Sequence, residues 1–430
     1  MNNVYILVAT VIVAAIAVFA ALDAFGTHGS MVPSTTSAHT TLPTTTAQQS
    51  SNSHTQYVVG MSTIRNGKVL GNFSIINYTT VGTSYSNQTI AYDPANNYVY
   101  LANSGSNVVS VMNGSVVVRQ IVVGRGPALL VYDPLNSYIY CINYYDGSVS
   151  VIDGLSVLST VSVGRQPASA EYDPANGYVY ITGYGSGTVS VINGTSLKAT
   201  IGMGGMPDDI IYDPYNHYIY VSNVGNNTVT MINGTVRIAG IYVGQNPFEL
   251  YYNSFSHYIY SVNYNSSTLS VINGTSYIAT ISTGSGPQRM AYDPANHYMY
   301  LTNYGSNDVM AINGTAIAST ILVGSEPTYL IYDPANGYVY VCNSYGNSIS
   351  VLNGTKVYGT VSGISGPGDL FYNPADSYVY ALSSSYNYTA AINGTSLVNT
   401  IHLSKNWYYL YGALINPSNG ELYVSYFERG

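Results

Sequence analysis

Apolar and polar positions along most of the chain alternate in short bursts that never reach helical length. In residues 167–205, PASAEYDPANGYVYITGYGSGTVSVINGTSLKATIGMGG, four short apolar segments are separated by four turn signals, a spacing that predicts strands. Asp173-Pro-x-Asn176 makes the first turn: proline pre-sets φ, and the Asp and Asn side chains can bond nearby backbone. YVYIT follows, with Tyr178 and Tyr180 on one face and Val179 and Ile181 on the other, so that strand is expected to be buried on both sides. After a Gly and Ser loop, VSVI leads to Asn193-Gly194, which predicts a type I′ hairpin with two positive φ angles. A fourth strand, KATIG, ends at a VGxxP slot.

The same words return about every forty residues, as YDPANNYVYLAN from Tyr92, VYDPLNSYIYCIN from Val131, IYDPYNHYIYVSN from Ile211, AYDPANHYMYLTN from Ala291 and IYDPANGYVYVCN from Ile331. A four-stranded antiparallel sheet with two apolar faces must stack on a copy of itself, and such sheets repeated around an axis make a β-propeller. Truncating a tyrosine of the second strand, as in Tyr98→Ala, is then expected to open a cavity and cost roughly 3 to 5 kcal/mol. YVY, VxN, VSVING and VGxxP in tandem resemble the YVTN family of β-propeller repeats, common in archaeal surface-layer and cell-surface proteins, over Tyr57 to Gly430. The resemblance implies a propeller at the cell surface and no particular reaction.

Eight repeats hold all four strands, and partial units remain at both ends. Ser62–Ile75 matches the last two strands of a repeat, with Asn66-Gly67 in the hairpin slot, and Trp407–Ser425 matches the first two. Joined, the half blades would close the ring and hide two raw edges. The expected fold is therefore all-β: a propeller of four-stranded antiparallel blades over residues 57–430, nine in number with eight as the other count.

Composition narrows the surface chemistry. Only 7% of residues are charged and 47 are tyrosine, against about a quarter charged in ordinary domains. A net charge of −8 offers no basic stripe, which argues against a nucleic-acid partner. The two cysteines, Cys141 and Cys342, fall in distant repeats and read as small buried hydrophobes.

Val4 to Leu22 is nineteen residues without a charge, long enough to span a bilayer, with a cleaved signal peptide as the other reading. Residues 27–56 are half Ser and Thr with two prolines, the composition of an unfolded stalk outside the cell. These segments predict a single-pass membrane anchor carrying an extracellular propeller. Asn72, Asn77, Asn87, Asn226, Asn265 and Asn387 open Asn-x-Ser/Thr triplets and are candidate N-glycosylation sites. Seven further triplets, at Asn113, Asn193, Asn233, Asn273, Asn313, Asn353 and Asn393, fall in the repeated Asn-Gly-Ser/Thr turns, where hairpin chemistry alone accounts for them.

Charges other than the turn aspartate gather in the VGxxP loop and the start of the first strand: Arg125, Arg165, Glu171, Asp208, Asp209, Glu249, Arg289, Glu326, Asp369 and Lys405. The second residue after the proline varies between repeats, and the third is always apolar, from Leu130 and Ala170 to Leu370 and Leu410. Period two then aims the second slot at the axial channel. Arg125, Arg165, Asp208, Asp209, Glu249, Arg289, Glu326, Asp369 and Lys405 are the candidate ligand-binding residues. His217, His257 and His297 share one turn slot, but Asn97, Ser137 and Gly177 fill it elsewhere, which points to a turn position, not a metal site. Trp407, the single tryptophan, is expected to pack the closing blade. No nucleophile elbow, HExxH, P-loop or dinucleotide fingerprint is present, so neither a cofactor nor a catalytic residue is assigned. The expected function is adhesion, envelope structure or ligand binding through one charged channel rim, the partner being a cell-surface protein or glycan. A propeller lyase or hydrolase with its site at the same mouth is the alternative.

Overall fold

The computed structural model describes residues 57–65, 68–78, 89–114, 116–383, 388–402, 407–416 and 420–429. The expected spanning helix and stalk, together with Asn87, Asn387 and Lys405, lie outside the described residues. What is described is all-β: nine four-stranded antiparallel sheets, the repeated architecture of a β-propeller. Eight sheets are each built from four consecutive strands. They are numbered here as blades one to eight, covering 90–122, 127–162, 167–202, 207–242, 247–282, 287–322, 327–362 and 367–402. In each, the first strand lies inside and the fourth outside.

The ninth sheet is made from the two ends of the chain, in the order 68–78, 57–65, 421–429, 407–416. Tyr57–Arg65 pairs with Glu421–Arg429, setting Ser62 opposite Val424 and Ile64 opposite Leu422. The N-terminal hairpin thus sits beside Glu421–Arg429, and Trp407–Asn416 is the far strand of the same sheet. Alternate side chains of that strand pair serve the two neighbouring cores. Tyr423 packs with Ile90, Val99, Leu101 and Met112 of blade one. Ile64, Leu422 and Val424 pack with Tyr380 and Ala391 of blade eight.

A recurring chain of hydrogen bonds ties most interfaces, and it explains why the buried aromatic is tyrosine. In blade three the Asp173 carboxylate accepts from the Ala175 amide at 2.8 Å and from Asn176 Nδ2 at 2.6 Å. Asn176 Nδ2 also donates to the Tyr180 hydroxyl at 3.0 Å, and that hydroxyl donates across the interface to the Gly234 carbonyl of blade four at 2.9 Å. The clasp recurs as Tyr100 to Gly154, Tyr140 to Gly194, Tyr220 to Gly274, Tyr260 to Gly314 and Tyr300 to Gly354. Tyr423 of the closing sheet extends the series to Gly114 of blade one at 3.3 Å. A side chain of this size is useful in an apolar interface only if its hydroxyl finds a partner, and the hairpin-tip carbonyl of the next blade supplies it. Burial raises these phenols, Tyr180 and Tyr300 to about 12, so the hydroxyls stay protonated donors.

Two expectations need correcting. The first tyrosine of YVY is only half-buried in every blade, whereas the second, Tyr100 and its equivalents, is fully buried. The large truncation cost therefore belongs to Tyr100 and not to Tyr98. The hairpin after the third strand is not type I′. Asn193 still pairs opposite Ser196, so the turn is Gly194-Thr195, and only Gly194 has positive φ, at 58°. Glycine alone at the first turn position matches type II′.

The VGxxP glycine has a steric cause: a Cβ on Gly324 would stand 2.6 Å from the Asn343 amide that closes the second strand. Cys141 and Cys342 are buried, unpaired and in separate cores. Burial pushes the Cys141 thiol well above its usual range. His217, His257 and His297 occupy a left-handed turn position, with φ of 61°, 57° and 65°. Their Nδ1 atoms meet the hydroxyls of Tyr212, Tyr252 and Tyr292 at 2.6, 2.8 and 3.0 Å.

Candidate functional site

Both ends of the inner strand matter for placing the site. The Asp-Pro turn and the hairpin tip share one face, since Asn216 and Gly274 are bridged by the Tyr220 hydroxyl. The VGxxP loop and the loop after the second strand share the other, since the Asn246 amide donates to Asn227 Oδ1 at 3.0 Å. The charged inner-strand residues begin at this second face.

A bulge follows the slot proline and decides how the first charged residues are aimed. In blades two, five and eight the second slot pairs directly with the second strand, as Leu129 with Ile142, Glu249 with Val262 and Asp369 with Leu382. In blades three, four and six pairing resumes one residue later. There the opposite residue is Thr182, Ser222 or Thr302, and its hydroxyl accepts the freed amide of Ser169, Asp209 or Arg289 at 2.8, 3.0 and 3.1 Å. Blade seven makes the same wider bulge with Cys342 opposite, so what these four blades share is a small opposing side chain, and bulges characteristically re-aim side chains.

Asp209, Glu171 and Tyr251 each serve the next blade. Asp209 Oδ2 accepts from the Leu250 amide at 2.9 Å. Glu171 accepts from the Tyr212 amide, and the Tyr251 oxygen from the Met290 amide. Inner strands expose one unpaired edge, and these side chains satisfy part of it. The remaining groups form one electrostatic cluster. Arg289 Nη1 pairs with Glu249 Oε1, and Glu249 Oε2 accepts from the Tyr251 hydroxyl. Arg289 also attracts Asp208, Asp209 and Asp369 from blades four and eight.

Burial outweighs that attraction. Desolvation pushes Asp208 up to about 7, with repulsion from Asp209 adding to it. Desolvation likewise raises Asp209 to about 6, although two backbone amides and Arg289 oppose it. Glu171 rises to about 7 through desolvation and the nearby Asp209 charge. Asp369 is raised by burial and held back by Arg289. Asp208, Asp209, Glu249 and Asp369 thus share one guanidinium, and Glu171 lies beside Asp209, so ionisation of more than one of these carboxylates leaves the inner face negative.

The cluster divides the sequence candidates. Asp208, Asp209, Glu249, Arg289 and Asp369 come together. Arg125 instead pairs with Asp146 on an exposed loop at 2.6 Å, and the Arg125 amide and guanidinium hold that carboxyl below its usual range. Arg165 donates to the Gly185 carbonyl at 3.1 Å on the surface. Glu326 sits in the loop with φ 54°, its amide bonded to Asn307. Glu171 and Tyr251 were missing from the candidate set. Counting two residues onward from the second slot would have found them, because 169 and 171, like 249 and 251, share one strand face. Among the described residues no three His, Cys, Asp or Glu side chains converge tightly enough to hold a metal ion.

No family model and no curated protein matches the chain. Among solved structures it is similar to the dihydro-heme d1 dehydrogenase NirN in complex with DHE, at 12% identity and TM-score 0.58 over 80% of this chain and 78% of that one. A streptogramin B lyase aligns at 12% identity and TM-score 0.46, covering 61% of this chain and 93% of that one. A putative 6-phosphogluconolactonase from Bacteroides fragilis aligns at 15% identity and TM-score 0.44, covering 80% and 98%. The likeness to NirN is one of fold, and it agrees with the repeated sheets in making the chain a β-propeller.

Proposed function

We propose that the chain is a membrane-anchored, extracellular binding propeller of nine blades, and that the inner-strand cluster around Arg289 is its ligand surface. The ligand class is a small or chain-end cationic group, such as an amine on a surface glycan or protein. One observation supports this above the others. In a chain with 7% charged residues, five carboxylates besides the turn aspartates, and a single cation, share the inner strands of blades three to eight. A desolvated carboxylate gains most from a cation that returns its lost solvation. Arg289 alone cannot do so for all five.

The test is a binding screen of the full chain against polyamines, amino sugars and neutral glycans, repeated on Asp208→Asn/Glu249→Gln/Asp369→Asn. Amine binding that weakens with salt and disappears in the triple variant is expected. Binding unchanged by the substitutions would remove the inner face from consideration. A second reading, general acid–base catalysis at the same place, is favoured by Glu171 and Asp208 both lying near 7, where a proton can be given or taken at neutral pH. Its signature would be ester or lactone turnover abolished by Glu171→Gln with amine binding intact.

A further inference from the structure

We infer that the hairpin tips, and not the loop triplet at Asn226, are N-glycan acceptors, so that sugars would crown the face opposite the mouth of the acidic cluster. This rests on the extracellular placement proposed above. Asn113, Asn193, Asn233, Asn273, Asn313, Asn353 and Asn393 are all exposed at the ends of third strands. Their side-chain amides make no hydrogen bond among the described residues, so nothing native is lost by substituting them. The hydroxyl residues Thr195, Thr235, Thr275, Thr315 and Thr395 are exposed as well.

The tip backbone, by contrast, is fixed. The Gly194, Gly234, Gly274, Gly314 and Gly354 carbonyls are each held by the tyrosine hydroxyl of the preceding blade at 2.8 to 3.3 Å. The tip therefore anchors inward through its glycine and presents its asparagine outward. The loop triplet at Asn226 is built the other way: Thr228 Oγ1 donates to Asn226 Oδ1 at 2.7 Å, engaging the triplet's own hydroxyl. The half-buried Asn226 side chain also lies against Gly205, where an added Cβ would stand 2.9 Å from it. Asn72 and Asn77 fall within the strand Lys68–Tyr78. A glycan on Asn226 would have to break these contacts; one on Asn233 would break none.

The chemistry needs a saccharide carried on a lipid phosphate or pyrophosphate and a membrane glycosyltransferase. Asparagine Nδ2 forms a bond to the anomeric carbon, and the bond from that carbon to the phosphate oxygen breaks. The lipid phosphate leaves with the electron pair, and Nδ2 gives up one proton. Blade two supplies an internal control, because its tip reads Asp153-Gly154-Leu155.

The full chain, given an additional cleavable secretory signal, is expressed in a glycosylating eukaryotic cell and its peptides are analysed by mass spectrometry. Glycan mass is expected on peptides carrying Asn193, Asn233, Asn273, Asn313 and Asn393, and not on the Asn226 peptide. Thr235→Ala should remove it from Asn233 alone. Unmodified tips, with or without sugar on Asn226, would overturn the inference. The same chain without the added signal reports separately on address: sugar only when the signal is supplied would refute the extracellular anchor while leaving the tips as acceptors.

Discussion

The first and second strands of each blade lie side by side yet follow different rules. Second strands are nearly interchangeable: Tyr, an aliphatic residue, Tyr, then apolar or small residues and usually Asn, with the pattern half-buried then fully buried in every blade. First strands keep an apolar third slot, buried from Leu130 to Leu370, while the second slot runs through Leu, Ser, Asp, Glu, Arg and Tyr. The difference teaches where repetition is enforced. A second-strand side chain faces the same neighbour in each blade and meets the same packing constraint, whereas the second slot of the first strand meets a different partner in each: Leu129 joins the core beside Tyr140, Asp209 caps the Leu250 amide and Glu249 pairs with Arg289. Uniformity marks the shared packing; variation marks the slots whose partners differ from blade to blade.

The largest test of that contrast is Tyr300. Tyr300→Ala should cost about 3 to 5 kcal/mol through the cavity it leaves in a fully buried site. Tyr300→Phe should cost about 1 to 2 kcal/mol, since it keeps the ring but leaves the Gly354 carbonyl and Asn296 amide without their partner. Denaturant midpoints of the two variants measure both. An Ala cost below about 1 kcal/mol would contradict the enforced interface.

Next in size is Arg289, the first-strand residue whose loss should come nearest to a second-strand effect. Arg289→Gln strands Glu249 and removes the attraction felt by Asp208, Asp209 and Asp369. Breaking a fully buried pair costs about 3 to 5 kcal/mol, but the Arg289 side chain is 30% exposed, so a loss of about 2 kcal/mol at pH 8 is expected after screening. The deficit should shrink as acid protonates the carboxylates. Glu249→Gln/Arg289→Gln should lose less than Arg289→Gln alone, and equal losses would show that the charges do not communicate.

The pH profile of the unaltered protein is the third test. Glu171 and Asp208 titrate near 7 and Asp209 near 6 in the folded state, against about 4 when unfolded. Between those values the folded protein binds more protons than the unfolded one, so stability falls as pH rises. The penalty is absent below about pH 4 and complete above about pH 7. Glu171→Gln should flatten part of this slope and stabilise by on the order of 1 to 2 kcal/mol at pH 8. A flat profile between pH 5 and 8 would place these carboxylates in contact with water, with folded values as low as the unfolded ones.

How much of this was legible follows from the same contrast. Tandem pattern and turn chemistry were enough to anticipate stacked four-stranded sheets and the joining of Ser62–Ile75 to Trp407–Ser425, because each copy repeats the evidence. What escaped was anything decided by a neighbour in space. The burial difference between Tyr98 and Tyr100 depends on the next blade's tip. The edge-capping roles of Glu171 and Asp209 depend on amides some forty residues away. The separation of Arg125 from Arg289 depends on the local partner Asp146. Slot position placed these residues; only packing assigned their work.

The smallest effect is expected where variation in one blade is matched by the next. On the turn face Phe255 stacks on His297 with ring centroids 3.8 Å apart and planes at 7°, and Tyr215 stacks on His257 at 3.9 Å and 10°. In the equivalent place Leu135 meets Gly177, where a Cβ would stand 3.1 Å from the leucine. The x of Asp-Pro-x-Asn in one blade thus touches the left-handed turn residue of the following blade, an interface contact that is not held to one sequence because it lies at the rim. Phe255 is 61% exposed, so Phe255→Ala should cost less than about 1 kcal/mol, and a double-mutant cycle with His297→Ala should return a coupling of about 0.5 to 1 kcal/mol for the stacked pair. His297 contributes a further term through Tyr292, which the cycle cancels because that bond is lost equally with and without Phe255. A coupling of zero would mean that the rings merely lie alongside one another, and that variation at the rim, unlike variation at the axis, carries no energetic consequence between blades.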